Sequence, residues 1–207
     1  MLDSIAHILD WFGICIFALS GALVASRKNM DIAGFALLGS VTGIGGGTLR
    51  DLVLGLTPVF WVQQPAYLIT SVLVASVAFF FVHHLRSQLK VLIWCDAVGL
   101  ALFAVTGAEI ALAQGASPFI VVAMGVATAT LGGVARDILG GEVPIILTRE
   151  IYVTAALFGA SVFVVCMEIG LPKNLAELSG SISGFCLRGA AIVMKLSLPH
   201  FKNEDQH

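Results

Sequence analysis

The chain reads as an all-α polytopic membrane protein, on three observations. Of its 207 residues, 58% are apolar and 12% are charged, and the mean hydropathy is +0.97. Soluble domains carry about 45–50% apolar and about 25% charged residues. The apolar residues form continuous runs, not the alternation over about ten residues that marks β-barrel strands. The runs also match the length of about 20 residues that a helix needs to cross a bilayer.

Seven runs follow one another along the chain. The first, 4–26, begins after Asp3 instead of a basic region and contains Asp10, so it reads as a retained helix and not a leader peptide. The second, 32–56, holds the densest glycine cluster. The third, 65–83, opens at Pro65 and ends at His83 and His84 ahead of Arg86, which by default is a solvated membrane edge. The fourth, 90–113, and the fifth, 118–141, are parted by Gly115 and Pro118. The sixth, 149–170, stops at Gly170 and Pro172, turn residues that end helices. The seventh, 180–198, carries Arg188, and a polar tail runs from Lys202 to His207.

Basic residues orient these spans. Arg27, Lys28, Arg86, Lys90, Arg149, Lys195 and Lys202 fall on one side, against Lys173 alone on the other. The N-terminus is therefore expected outside and the C-terminus in the cytoplasm. Net charge is −2 with scattered cations, which excludes a basic nucleic-acid footprint. Cys15, Cys95, Cys166 and Cys186 form no C-x-x-C pair and read as small buried hydrophobes.

The chain also matches itself at a shift of 86 residues. Asp10, Gly13, Phe17, Ala18, Gly21, Ala22 and Ala25 meet Asp96, Gly99, Phe103, Ala104, Gly107, Ala108 and Ala111. Gly39, Thr42, Gly46, Gly47, Arg50, Asp51, Gly55 and Pro58 meet Gly125, Thr128, Gly132, Gly133, Arg136, Asp137, Gly141 and Pro144. These are 15 identities over 49 ungapped positions, where composition alone gives about 4–5. One repeat covers 4–83 and the other 90–170, with 180–198 left over. Each holds three spans, an odd number, so the second enters the membrane from the opposite side. Inverted repeats of this kind are characteristic of transport proteins, whose pathway runs near the repeat interface.

The repeated element reads G-I-G-G-G-T-L-R-D at 43–51 and T-L-G-G-V-A-R-D at 130–137. A charge near the bilayer centre costs about 2.5–3.5 kcal/mol on insertion scales, so duplicated Arg–Asp elements require partners or water. Glycine weakens a helix by about 1 kcal/mol relative to alanine. The second and fifth spans are therefore expected to be kinked or partly unwound at Gly45–Gly47 and at Gly132 and Gly133. Arg50 lies about 28 Å along its span, toward the outer side, and Asp10 lies in the outer part of the first span. Arg136 and Asp96 take the mirrored inner positions. Two proximities follow, Asp10 to Arg50 and Asp96 to Arg136, with Asp51 and Asp137 flanking.

Two roles stay open for Arg50 and Arg136 on the residues alone: buried staples, or groups that line or gate a pathway. The stripes Ala18/Gly21/Ala22/Ala25 and Ala104/Gly107/Ala108/Ala111 read as packing faces. Ser20, Thr42, Thr106 and Thr128 are expected to bond back to their own helices, though their hydroxyls suit a dehydrating ion. Glu109 has no counterpart, since Leu23 stands at its place in the first repeat, and its depth suggests the outer interface. Arg188 either pairs with a repeat carboxylate or snorkels. The run 43–48 lacks the strand and the G-K-[ST] of a nucleotide loop, no hydrolase or metal constellation has context, and no T-V-G-Y-G filter is present. The chain does not read as an enzyme, and no cofactor is implied.

At these residues the chain resembles the prokaryotic branch of the trimeric intracellular cation channel family, also known as a glycine-transporter-type domain. The resemblance covers nearly the whole chain and rests on the paired G-G-G-x-x-R-D and G-G-x-x-R-D elements. It implies a homotrimer in the plasma (inner) membrane, in contact with lipids, each protomer holding its own potassium-permeable pore. The second and fifth spans would line that pore, with Gly45, Gly46, Gly47, Arg50, Asp51, Gly132, Gly133, Arg136 and Asp137 as the matching residues. Asp10 and Asp96 join them by the pairing argued above, and the only metals implied are transient monovalent cations. Leu131 stands opposite Gly45, so the second element is shorter and its kink milder. The rival reading is a secondary transporter of glycine or another small amino acid, rocking about a midplane site.

Overall fold

A computed structural model of the chain describes residues 3–82, 88–148 and 150–198. Eight α-helices occur among them: α1 (Asp3–Arg27), α2 (Ile32–Leu54), α3 (Phe60–Gln63), α4 (Ala66–Phe81), α5 (Gln88–Ala113), α6 (Pro118–Leu139), α7 (Val153–Glu168) and α8 (Lys173–Met194). A 3₁₀ turn covers Ile145–Leu147. No strand forms among the described residues beyond an isolated bridge between Glu150 and Ser197. Four helical stretches, Ile8–Arg27, Ile32–Leu54, Leu89–Ala113 and Pro118–Leu139, are long and apolar enough to cross a membrane, while α4 and α7 are shorter apolar helices. His83, His84, Arg86, Arg149 and Lys202 lie outside the described residues.

Local chemistry sets the helix ends. The Asp31 carboxylate accepts the Gly34 N–H at 2.8 Å and caps α2. Gly55 closes α2 at φ 70°, in the left-handed region that glycine enters without penalty. Pro118 opens α6, where its missing N–H is not needed. The seventh helix starts at Lys173 and not at 180; hydropathy places the start too late because it counts Lys173 and Glu177 against a span. The backbone nonetheless turns helical directly after Pro172 and buries Glu177. The short helix α3 was not expected. It forms where the chain folds back from the end of α2.

Three cores hold the helices. One joins α1, α2 and α4 through Leu23, Val24, Phe35, Leu38 and Ala75. A second joins α5, α6 and α7 through Val105, Ala108, Val121, Ala160 and Phe163. The third joins the two groups through Ile14, Phe17, Tyr67, Leu100, Phe103 and Tyr152. Both small-residue stripes are buried, as expected of packing faces. The outside is apolar, with Leu37, Val53, Phe80, Phe119, Ile138 and Val193 among its exposed side chains. Such a surface suits lipid or a neighbouring subunit rather than water.

The glycine elements correct one expectation. α2 and α6 run as unbroken helices through Gly43–Gly47 and through Gly132 and Gly133, without unwinding. The glycines are used for close approach. A Cβ on Gly46 would strike the Thr128 carbonyl oxygen, and one on Gly132 would strike that of Thr42. The two helices thus press backbone to backbone, reciprocally, at residues related by the same shift of 86. Gly45 is less tightly held, since an added carbon would meet Gly132 Cα at 3.8 Å, an ordinary van der Waals distance.

Candidate functional site: two Arg–Asp centres and a cavity

Near the end of α2, Arg50 donates through Nε and Nη2 to Oδ1 of Asp51, at 2.9 Å and 2.7 Å. The other carboxylate oxygen of Asp51 accepts the Phe60 N–H at 2.8 Å, which fixes the turn into α3. The guanidinium lies 5.5 Å from the centre of the Phe60 ring. Near the end of α6, Arg136 Nε donates to Asp137 Oδ1 at 2.8 Å, and Asp137 Oδ2 accepts the Ile145 N–H at 3.1 Å. The two centres share one design. A carboxylate neutralises its neighbouring arginine with one oxygen and ties the following turn with the other, so the desolvated charge is matched on the spot.

The expected proximity of Asp96 and Arg136 is direct, with Nη1 donating to Oδ1 at 2.6 Å. Asp10 and Arg50 come together as walls of one cavity, with Tyr67 between them. Tyr67 is hydrogen-bonded to Asp10 and lies in the field of Arg50. Tyr152 takes the same place in the second centre, against Asp96 and Arg136. These are the only two tyrosines in the chain. They were missed because they match at a shift of 85, one residue short of the repeat, as do Phe60 and Ile145. Pairing the two tyrosines across a one-residue gap was the signal that could have found them.

The centres differ in closure. Arg136 is fully buried, and its Nη1 also donates to the Ser20 hydroxyl from the opposite repeat. Ser20 therefore does not bond back to its own helix as expected, whereas Thr42, Thr106 and Thr128 do so at 2.6 Å, 3.1 Å and 2.7 Å. Arg50 instead borders a cavity of about 280 Å³ whose walls include Asp10, Gln63, Thr106, Glu109 and Lys173. Gly43, Gly47 and Thr128 also line it, so the glycine face of α2 forms part of the wall.

Other charges resolve as follows. Glu109 pairs with Lys173 at the cavity. Arg188, buried on α8, pairs with Glu150 of the second repeat, outside the duplicated Asp residues, and lies 5.3 Å from the centre of the Tyr152 ring. The cysteines are free. Three are half-buried and Cys186 is exposed, so the expectation of burial fails for a residue facing out from α8. No cluster of three or more metal-ligating side chains occurs among the described residues. The two centres together bring four aspartates to two arginines, an excess that favours cations over anions.

A helical membrane protein organised round two buried Arg–Asp centres is thus defined by its own geometry. A family model described as "Glycine transporter" matches it twice, over residues 7–83 and 93–168. The UPF0126 membrane protein of Vibrio cholerae is 41% identical over 96% of this chain and 83% of that protein. The UPF0126 inner membrane protein YadS of Escherichia coli K12 is 40% identical over 93% of this chain and 94% of its own length. Among solved structures, the trimeric intracellular cation (TRIC) channel orthologue from Rhodobacter sphaeroides is 60% identical, with a TM-score of 0.91 over 93% of this chain and all of that one. A prokaryotic TRIC channel crystallised in 0.5 M KCl is 32% identical, with a TM-score of 0.88 over 94% of this chain and 99% of that one. The chain belongs to this family, the prokaryotic trimeric intracellular cation channels.

Proposed function

We propose that the protein is a potassium-permeable, monovalent-cation channel of the inner membrane, a homotrimer with one pore in each protomer. One observation carries the reading. A cavity walled by the glycine face of α2, by Asp10, Thr106 and Glu109, and by Arg50 sits beside the contact between the two halves of the chain. The likeness to solved cation channels at 60% and 38% identity supports the same conclusion.

In this reading α1, α2, α4, α5, α6, α7 and α8 are the seven spans. Residues 4–83 and 90–170 are inverted repeats, a layout supported by the double family match and by the reciprocal Gly46–Thr128 and Gly132–Thr42 contacts. The N-terminus is outside and the C-terminus cytoplasmic, which puts the cavity on the outer side. Arg50, held by Asp51, lines the entrance there with Asp10. Arg136, held by Asp96, Asp137 and Ser20, is the gating element at the inner side. Gly46 and Gly132 let α2 and α6 approach closely, and Gly45–Gly47, Gly132 and Gly133 let the two helices bend when the path opens.

Purified protein in a planar bilayer under a KCl gradient tests this. Discrete openings that reverse near the potassium potential in the absence of glycine are expected. The family description favours one other reading, a glycine transporter. A silent bilayer together with saturable glycine uptake in matched liposomes would establish that reading instead.

A further inference from the structure

Three charges meet from two helices where Glu109 and Lys173 line the cavity, with Glu177 buried behind them. Glu109 projects from the last part of α5, and Lys173 and Glu177 from the first turns of α8. Lys173 pairs with Glu109, and its Nζ stands 3.8 Å from Glu177 Oε1. The exposures differ sharply. The Lys173 side chain is 49% exposed and that of Glu109 18%, but that of Glu177 only 2%. Neither carboxylate oxygen of Glu177 accepts a hydrogen bond. A buried carboxylate without hydrogen bonds is an expensive group to keep. What it faces is a second carboxylate and the half-exposed Lys173 ammonium.

Helix stability does not explain the arrangement. Lys173 is the first residue of α8, where a cation opposes the helix dipole. Glu109 replaces the leucine of the first repeat, so the duplication did not supply it. Glu109 and Lys173 both line the cavity.

We propose that Glu109 and Glu177 form a binding site for an inorganic cation at the cavity mouth, and that Lys173 occupies it as a tethered competitor. Lysine on a flexible stem acts as a compact point charge. A hard cation entering from solvent takes the same two carboxylates and displaces the ammonium outward. The site's role in feeding the pore rests on the channel reading above, but the site itself does not.

Ca²⁺ is the probe, because two carboxylates hold a divalent ion more firmly than a monovalent one. In detergent, Lys173→Met is expected to show a saturable rise of unfolding temperature with Ca²⁺, half-saturating at least about tenfold lower than in the unsubstituted protein. Adding Glu177→Gln is expected to abolish that rise. The unsubstituted protein gives a second readout that needs no variant. Ca²⁺ should speed amine acetylation of Lys173 severalfold relative to Lys28, measured by mass spectrometry.

The absence of both effects overturns the proposal. In the bilayer, Lys173→Met should conduct better at low K⁺ and gain Ca²⁺ block. If the unsubstituted channel conducts and the variant is unchanged, the site does not feed the pore. If Ca²⁺ binds but neither protein conducts, the site stands and the channel reading fails.

Discussion

Phe17 and Phe103 meet edge to face, with ring centroids 5.0 Å apart and planes at 72°. They are equivalent residues of the two repeats, and each ring lies over the other's glycine, Phe17 over Gly99 and Phe103 over Gly13. The contact therefore joins the two halves at a point where the chain meets its own copy.

The two glycines are not equally tight. A Cβ on Gly99 would overlap the Phe17 ring outright, whereas one on Gly13 would lie 3.1 Å from Phe103. Gly99→Ala is expected to destabilise the protein by about 1–3 kcal/mol through overpacking. Gly13→Ala should stay near neutral, because a helix gains about 1 kcal/mol from the exchange. Unfolding temperatures in detergent separate the two.

Within the glycine-rich element, substitutions should sort by contact and not by position in the motif. Gly46→Ala and Gly132→Ala drive a methyl into a backbone carbonyl, which cannot rotate away, so loss of folded protein is expected. Gly45→Ala places its methyl at ordinary van der Waals distance, 3.8 Å from Gly132 Cα, and should be neutral or stabilising by up to about 1 kcal/mol. Yield of monodisperse protein on size exclusion, followed by thermal unfolding, checks the order.

Arg136→Ala should harm stability more than Arg50→Ala. The first strands Asp96 in a fully buried site and leaves Asp137 only the Ile145 N–H, a loss of about 3–5 kcal/mol for a broken buried pair. The second leaves Asp51 bonded to the Phe60 N–H beside a cavity, and about 1–3 kcal/mol is expected. If the two variants unfold at the same temperature, the difference in closure between the centres has no energetic meaning.

Arg188 braces the second centre from behind. Arg188→Met removes the pair to Glu150 and the contact with the Tyr152 ring but keeps the stem. The expected loss is about 1–2 kcal/mol, the range of a cation–π contact plus an ion pair whose carboxylate is half in water. Thermal unfolding of Arg188→Met beside Glu150→Gln measures it. Glu150→Gln, which leaves the buried guanidinium without its carboxylate, should cost more than Arg188→Met.

Much of this was readable beforehand, for definite reasons. Membrane helices show as apolar runs because lipid leaves the backbone no other partner. The Arg–Asp elements showed because buried charge is rare and here came twice. Ser20 did not show, because a hydroxyl that bonds across the repeat interface looks the same in sequence as one that bonds to its own helix. Glu177 was left in a loop because hydropathy scores a carboxylate as exposed wherever it lies. The glycines do not unwind their helices and serve as contact surfaces, a use that did not show, since sequence reports a missing side chain but not what fills its place.

One small inequality between the halves bears on how such a chain changes length. Nine positions separate Pro58 from Tyr67, and eight separate Pro144 from Tyr152, yet both tyrosines reach the same place beside their aspartates. A residue lost inside a helix would have swung every later side chain by about 100° and shortened the rod by about 1.5 Å. Lost in the link before α7, it left the phase of the helix intact. A link thus absorbs a one-residue difference in length between the two halves while the rods on either side of it keep their register.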